Sequence, residues 1–450
     1  MPDELTQQPG TVRVTVAEEG RGRGLLSRLG RPGLLARIGR VGLLIVVALA
    51  ASAGVLVGYR VLAGPADGDA PRTTVPVSSL DARAVAPVPG SSRLVLLGQQ
   101  PLLDTRLTGA LAPGGEADLP LPALPAGSRA VLVDISLVQA TGPGAVALVS
   151  AAGEVTALQL ARAGAQSSAT VVVPISGDNR LRVRTQGGGH AIVSLVGAFE
   201  PAETATAGRI VPLPTTRVLR LVPKTDGKDA RIDLASVSAL AEAASPGGGS
   251  AAAVLLQIAA DVGTHGGFVI VDGAADRPDQ QIFWSATAGT DRTRTGFAVV
   301  PLTGSAVRIH YEAGSLITVD LVGYVTAASA PASAAGLVVP LTPTAPVGPT
   351  PVAAGGSAVV KVVPLPDTDQ PPADRVGAVL LRLSAIGDRI GGVAVQPADA
   401  TGQPEPYLTA APGVSRSAQT LVRTVDGAVR VSSAAGASVT LIPQAAILSG

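Results

Sequence analysis

Three recurring arginines are the residues whose type and spacing best fit a binding chemistry. Arg182, Arg308 and Arg430 occur in the short runs LRVR, VRIH and VRVS, about 125 residues apart. Guanidinium groups bind phosphates and carboxylates through paired hydrogen bonds. An evenly spaced row of them would suit an anionic cell-wall polymer, such as a teichoic acid or a glycan phosphate. The alternative, which we favour, is that they are exposed strand residues whose aliphatic stems shield a sheet face.

Residues for catalysis or metal binding do not converge in the sequence. Cysteine is absent, which excludes disulfides, thiolate metal sites and a cysteine nucleophile. The motifs G-x-S-x-G, H-E-x-x-H and G-K-[ST] are absent as well. The three histidines do not recur at equivalent positions: His190, His265 and His310. The acidic segment DGAADRPD, residues 272–279, lacks the spacing of an EF-hand loop. We therefore predict no enzymatic activity, no cofactor and no bound metal.

The elements that must position the arginines belong to a unit that occurs three times. Its best-matched runs are AVLVDISL, AVLLQIAA and AVLLRLSA, at residues 130–137, 253–260 and 378–385. Apolar and β-branched residues alternate with polar ones, and Gly, Asn, Asp and Ser separate the runs, which predicts short antiparallel strands with one covered and one wet face. Roughly eight such strands per unit predict an all-β chain of three tandem β-sandwich or jelly-roll-like repeats.

Two further motifs mark the ends of the unit. The first copy begins with PLLDTR, residues 101–106, and continues through VVVP at 171–174. The second copy ends with VDLVGY at 319–324. This pattern resembles the β-repeat of exported actinobacterial surface and cell-wall-associated proteins, which opens with LLDTR, has a VVVPV strand and closes on VDVxGYF.

The resemblance implies an exported β-repeat without a defined activity, often found beside cell-wall hydrolases, peptidases or adhesin-like regions. Only the first copy keeps Asp104, Thr105 and Arg106, and only the second keeps Asp320 and Gly323. A ligand site would be lost from two of the three copies. We therefore interpret both motifs as structural, with Asp104 and Arg106 paired to lock the first turn of the unit.

An uncharged apolar run, VGLLIVVALAASAGVLVGY at residues 41–59, predicts a membrane-spanning helix. Seven arginines precede it, and after Arg60 the next basic residue is Arg72, which predicts a cytoplasmic N-terminus. A cleaved signal peptide is the alternative, because Ala48-Leu49-Ala50 resembles a cleavage site. We favour an uncleaved anchor, because the apolar run continues past that site.

These observations predict six segments. They are a basic cytoplasmic tail (1–40), a transmembrane signal anchor (41–62), a Pro-rich stalk (63–90) and three β repeats (91–200, 201–327 and 328–450). The net charge of +1 and the aromatic content of 2% give no support for nucleic-acid binding. The sequence predicts a single-pass plasma-membrane protein with an extracytoplasmic C-terminal region. It would be an envelope scaffold or interaction module, whose partners are the membrane and a cell-wall polymer or another envelope protein.

Overall fold

The computed structural model describes most of the chain from residue 88 onward, together with residues 14–17. The described ranges are 14–17, 88–177, 179–221, 228–237, 240, 251–261, 267–273, 280–284, 293–302, 304–311, 316–341, 346–363, 371–402 and 406–450. They are built from strands, with short 3₁₀ turns at Leu234–Ser236 and Ala373–Arg375. The prediction of an all-β fold is confirmed. The predicted anchor at 41–62 and residues 63–87 of the predicted stalk lie outside the described residues.

Repeat 1 contains eight strands arranged in two antiparallel sheets. The strands are β2 (Ser92–Asp104), β3 (Glu116–Pro120), β4 (Ala130–Val138), β5 (Gly144–Ser150), β6 (Gly153–Leu160), β7 (Ser167–Pro174), β8 (Arg180–Thr185) and β9 (His190–Pro201). One sheet has the order β2-β9-β4-β7 and the other β3-β8-β5-β6. Alternate Val and Leu side chains from both sheets form a core between them.

Repeat 2 has the same arrangement. Its strands are β10 (Ile210–Leu221), β11 (Lys228–Asp233), β12 (Ala251–Asp261), β13 (Gly267–Asp272), β14 (Gln280–Trp284), β15 (Thr293–Pro301), β16 (Ala306–Tyr311) and β17 (Leu316–Thr326). The sheets have the orders β10-β17-β12-β15 and β11-β16-β13-β14. A short strand from near the N-terminus, β1 (Val14–Ala17), pairs antiparallel with the outer edge of β11.

Repeat 3 differs only in its first strand, which is interrupted. Its strands are β18 (Val338–Pro340), β19 (Val347–Val352), β20 (Gly356–Lys361), β21 (Val376–Gly387), β22 (Gly391–Pro397), β23 (Leu408–Ala410), β24 (Arg416–Arg423), β25 (Ala428–Ser433) and β26 (Ala437–Leu448). β18 and β19 both pair with β26, followed by β21 and β24, and the second sheet is β20-β25-β22-β23. In all three repeats the order of strands is that of an eight-stranded jelly roll.

The three repeats pack together through one sheet of each, here called the inner sheet: β2-β9-β4-β7, β10-β17-β12-β15 and β18/β19-β26-β21-β24. The face of each inner sheet that points away from its own outer sheet contributes to a central core, which includes Phe199, Phe297 and Leu421. Every residue of β4 is buried. The predicted wet face is therefore wrong for these sheets, because the neighbouring repeats cover it. The other three sheets, here called the outer sheets, lie on the far side of the inner sheets from this core.

The contacts between repeats follow one another in a cycle. β14 of repeat 2 contacts β7 of repeat 1, β23 of repeat 3 contacts β15 of repeat 2, and β6 of repeat 1 contacts β24 of repeat 3. Each repeat therefore packs an edge strand of its jelly roll against an edge strand of the next repeat. This is the head-to-tail geometry that closes a ring, and it gives the chain an internal pseudo-threefold arrangement.

The starts of the three repeats are also joined by main-chain contacts. Leu94 N–H donates to the carbonyl of Gly208 (2.8 Å), and Ile210 N–H donates to that of Gly336 (2.7 Å). Val338 pairs with Ser92, which completes the circle. Gly208 has a φ of +82°, and an added Cβ would lie 2.3 Å from the Leu94 carbonyl oxygen, so only glycine fits there.

A buried arginine ties the linkers between the repeats together. Arg209 is 1% exposed, and its guanidinium donates to the carbonyls of Ala335 (3.0 Å) and Pro331 (2.8 Å). β1 and the three repeats belong to one compact unit. Over the ranges that the structure describes, no helix has the length and apolar character that crossing a bilayer requires.

Candidate functional site

The recurring arginines occupy matching positions on the three outer sheets. Arg182 on β8, Arg308 on β16 and Arg430 on β25 each lie in the seventh strand of the repeat, which pairs with its second strand, β3, β11 or β20. In the strand register, Arg182 is opposite Asp118, Arg308 is opposite Arg231, and Arg430 is opposite Val359. Their recurrence in the sequence therefore reflects a true structural equivalence.

Among the described residues, the contacts of these arginines lie within their own repeats. Arg182 Nη1 lies 2.7 Å from Glu116 Oε2, and Arg308 Nε lies 3.8 Å from Asp272 Oδ1. Arg430 donates from Nε and Nη2 to the carbonyl of Ala398, at 3.1 and 2.6 Å. The structure does not bring the three together, because an inner sheet separates each outer sheet from the central core. They do not form one row.

A charged cluster surrounds His310 on the outer sheet of repeat 2. Its Nε2 lies 3.1 Å from Asp272 Oδ2, and its Nδ1 contacts Asp229 on the neighbouring strand β11. His190 is separate and contacts the Thr105 carbonyl through Nδ1 (2.9 Å). His265 lies outside the described residues. Within the described ranges, no group of three or more His, Cys, Asp or Glu side chains is arranged to hold a metal ion.

The opening motif of repeat 1 forms a locked turn at the end of β2. Arg106 binds Asp104 through Nε (2.9 Å) and Nη2 (2.6 Å), and its own N–H also donates to that carboxylate (3.0 Å). These hydrogen bonds lower the pKa of Asp104 below its usual value. Thr105 is buried, and its hydroxyl accepts from the N–H of Ala191 (2.8 Å). The turn is thereby fixed to the start of β9.

The closing motif of repeat 2 is also engaged in packing. Asp320 pairs with Arg217, which lies directly opposite it on β10, and Arg217 Nη2 is 3.3 Å from Asp320 Oδ2. The sequence analysis did not identify Arg217 as this partner, because the pairing depends on the strand register. An added Cβ on Gly323 would lie 2.9 Å from Leu421 Cδ2 of repeat 3 and 2.9 Å from the Val211 carbonyl oxygen. Gly323 therefore allows close contact between two repeats.

The polar residues that the sequence analysis missed lie on the central strands of the inner sheets. Asp134, Gln257 and Arg382 occupy the same position in β4, β12 and β21, and all three are buried. The signal was present in the aligned runs AVLVDISL, AVLLQIAA and AVLLRLSA, where the fifth residue is polar and different in each copy. Alternation alone assigns that position to a solvent-facing side of the sheet.

Asp134 is enclosed by hydrogen-bond donors. Its carboxylate accepts from Gln99 Nε2 (2.5 Å) and from the Thr170 hydroxyl (2.6 Å). Burial nonetheless raises the pKa of Asp134 to about 7, because removal from water disfavours the charged form. The same threonine hydroxyl lies 2.8 Å from the carbonyl of Phe297 in repeat 2, so this polar group sits at a contact between repeats.

Arg382 projects from repeat 3 toward repeat 1. Its Nη1 donates to the carbonyl of Thr156, and its Nε has no hydrogen-bond partner. Burial lowers the pKa of Arg382 to about 10. Gln257, at the equivalent position of repeat 2, donates to the carbonyl of Gly296 (3.2 Å). One structural position thus holds an acid, an amide and a base in the three repeats.

Comparison with known proteins gives no family assignment. No family model matches the chain, and no curated protein matches it. Among solved structures, a chain from the atomic structure of Sulfolobus turreted icosahedral virus is 10% identical. It aligns over 80% of this chain and 91% of its own length, with a TM-score of 0.17. The CBM22-1–CBM22-2 tandem domain of Paenibacillus barcinonensis Xyn10C is also 10% identical, over 52% of this chain and 100% of its own, with a TM-score of 0.15. Similarities this weak carry no functional argument.

Proposed function

We propose that this chain is a non-enzymatic, membrane-anchored protein that presents a rigid three-part β body as a scaffold or interaction module of the cell envelope. The central core is the observation that carries the proposal. It joins the inner sheets of three repeats, so that three outer sheets are held in a fixed relation around one body. Such a body suits the simultaneous display of several surfaces.

The contacts of the outer sheets weigh against the alternative, an anionic cell-wall polymer bound by Arg182, Arg308 and Arg430. The guanidinium groups of Arg182 and Arg308 lie beside carboxylates, and that of Arg430 is bound to a main-chain carbonyl. A polymer would have to compete with these contacts. It would also have to reach three sheets that lie on separate sides of the central core.

Strand β1 opposes the membrane topology that this proposal includes. Thr15 lies opposite Arg231, and Val16 opposite Ala230, in an antiparallel pair. A single crossing by residues 41–62 would place these two strands on opposite sides of the membrane. The apolar run and the arginine asymmetry support the crossing, whereas the strand pair supports a shared compartment. The proposal takes the single crossing, which requires that the β1–β11 pair does not form in the cell.

Engineered cysteines distinguish these two arrangements, because the natural chain has no thiols. With the N-terminus inside, a thiol reagent that does not cross membranes labels Arg231→Cys but not Thr15→Cys in intact cells. The double variant then forms no disulfide within one chain. Formation of that disulfide in cells would disprove the single crossing. An export-dependent reporter enzyme fused after Gly450 should be active if the β body is outside.

Sedimentation with isolated cell walls tests the scaffold proposal against the polymer alternative. The full chain in detergent and the Arg308→Ala variant should behave alike, with no salt-sensitive binding that depends on the arginine. Asp233→Ala, on the neighbouring strand β11, is the matched control. Salt-sensitive binding that Arg308→Ala abolishes and Asp233→Ala retains would replace the scaffold proposal with polymer binding.

A further inference from the structure

A small cavity lies where the three repeats meet. It is lined by Arg382 and by residues from the sixth strand of each repeat, including Ser168, Thr295, Ser417 and Gln419. The positions open to the centre of a water molecule fill about 10 Å³, which leaves room for one small occupant, either water or a monatomic ion. Because all three repeats contribute to its wall, an occupant would contact every part of the ring.

The polar groups around this cavity are incompletely satisfied. Arg382 is 7% exposed and its Nε is without a partner, and the hydroxyl of Thr295 and Oε1 of Gln419 are unpartnered as well. Gln419 Nε2 donates to Gln444 Oε1 (2.6 Å), and Gln444 Nε2 has no partner. If both amides are rotated by 180°, the bond between them is kept and Gln419 presents its NH₂ group in place of its oxygen.

The charge balance of the cavity is positive. Among the lining residues, all of which the structure describes, Arg382 is charged and none is acidic. A buried cation without a counter-ion is costly, and a guanidinium that retains its charge requires compensation nearby. Arg416 adds a second half-buried guanidinium next to Ser417 on β24, where it donates to the carbonyl of Thr409 (3.0 Å).

We propose that this cavity is a binding site for one small monovalent anion, such as chloride, held by Arg382 Nε–H together with the hydroxyl of Thr295 and the amide of Gln419. The anion neutralises the buried guanidinium and satisfies donors from repeats 2 and 3 at once. A water molecule fits the same space but supplies no charge. The anion therefore links the packing of the repeats to the halide concentration of the medium.

The test is thermal unfolding of the full chain in detergent, in sodium chloride, sodium bromide and sodium gluconate at equal ionic strength. Gluconate is too large for the cavity. We expect the unfolding temperature to be higher in chloride and bromide than in gluconate by about 2 °C or more, because a ligand stabilises the state that binds it. Equal unfolding temperatures in the three salts would show that the cavity holds only water.

Two variants separate the site from general salt effects. Arg382→Met should abolish the difference between chloride and gluconate, whereas Arg423→Met, an exposed arginine on β24, should retain it. If Arg382→Met does not fold, Thr295→Val keeps the guanidinium and should raise the chloride concentration at half-effect about tenfold. Loss of the difference in Arg423→Met, or crystals grown in bromide with no anomalous signal in the cavity, would overturn the proposal.

Discussion

The inner and outer sheets of this protein have similar sequences but different environments. Both consist of short strands rich in aliphatic residues, which alternate with polar ones in outer strands such as LRVR and form a continuous run at the start of inner strands such as AVLVDISL. On the outer sheets the polar side faces solvent, and its charges pair locally, as in Arg182 with Glu116. On the inner sheets the corresponding side faces other repeats, and polar residues such as Asp134 are enclosed. The difference shows that alternation identifies a strand but not what covers each of its faces.

A comparison of the central strands of the three inner sheets extends this point. A homotrimer of identical repeats would place the same residue at one position three times around its axis. Three carboxylates or three guanidinium groups buried near one axis would repel each other. In a single chain the copies can diverge, and here the position holds Asp134, Gln257 and Arg382. Divergence of the repeats therefore allows a polar position within the buried interface.

The largest expected effect is the removal of a large side chain from the central core. Phe199 is 1% exposed and packs among residues of the three inner sheets. Phe199→Ala should lower the free energy of unfolding by about 3–5 kcal/mol, because it leaves a cavity. Denaturant unfolding followed by fluorescence measures it, and the only tryptophan, Trp284, is in repeat 2.

The position of this tryptophan makes the measurement a test of coupling between repeats. If the central core unites them, Phe199→Ala in repeat 1 shifts the transition reported by Trp284 in repeat 2. A transition unchanged in midpoint would mean that the repeats unfold independently. Val359→Ala is the matched control, because Val359 is 60% exposed on an outer sheet and its truncation should change stability by less than about 0.5 kcal/mol.

The second effect is a pH dependence of the free energy of unfolding, which results from the burial of the Asp134 carboxyl in an inner sheet. The pKa of Asp134 is about 7 in the folded chain and about 3.9 when unfolded. Between these values the folded state keeps a proton that the unfolded state has released. Stability therefore falls as pH rises through this window, by about 2–3 kcal/mol between pH 5 and pH 7 from this group.

Asp134→Asn isolates that contribution, because the amide does not titrate. Urea unfolding at a series of pH values should show a wild-type stability that declines toward neutral pH, and a smaller decline in the variant. Asp104 is the contrasting control, because Arg106 lowers the pKa of that carboxyl. A wild type and an Asp134→Asn variant with parallel pH profiles would show that Asp134 is accessible to water.

The sequence predicted much of each repeat and little of how the repeats join. Strand formation follows from local alternation, and the sixth strands of repeats 1 and 2 end at Pro174 and Pro301, because proline has no N–H to continue the ladder. The equivalence of Arg182, Arg308 and Arg430 also follows from the periodic spacing. The central core depends on contacts between residues more than 100 positions apart, for example Thr170 with Phe297. The local signal for a covered face is the continuous apolar run before Asp134, because Ala130 and Leu132 share its face of β4.

Substitution of the glycine at the boundary between repeats 2 and 3 should have an effect of intermediate size on stability. An added methyl group on Gly323 meets Leu421 and the Val211 carbonyl, so Gly323→Ala should cost about 1–3 kcal/mol. Thermal unfolding measures the loss. Gly304→Ala is the control, because an added Cβ there meets nothing within 4 Å. Equal stability of the two variants would mean that the contact between repeats 2 and 3 adjusts without strain.

The smallest effect belongs to the outer-sheet ion pairs. Arg182 and Glu116 are partly exposed, with side-chain exposures of 49% and 34%. Such pairs contribute about 1 kcal/mol or less, and salt screens them. Arg182→Ala should therefore change stability by less than about 1 kcal/mol, and the change should shrink in high salt, as chemical denaturation at two salt concentrations can measure. A loss of stability as large as that of Phe199→Ala would contradict the distinction between the two kinds of sheet. A solvent-facing ion pair would then contribute as much to stability as a buried aromatic side chain.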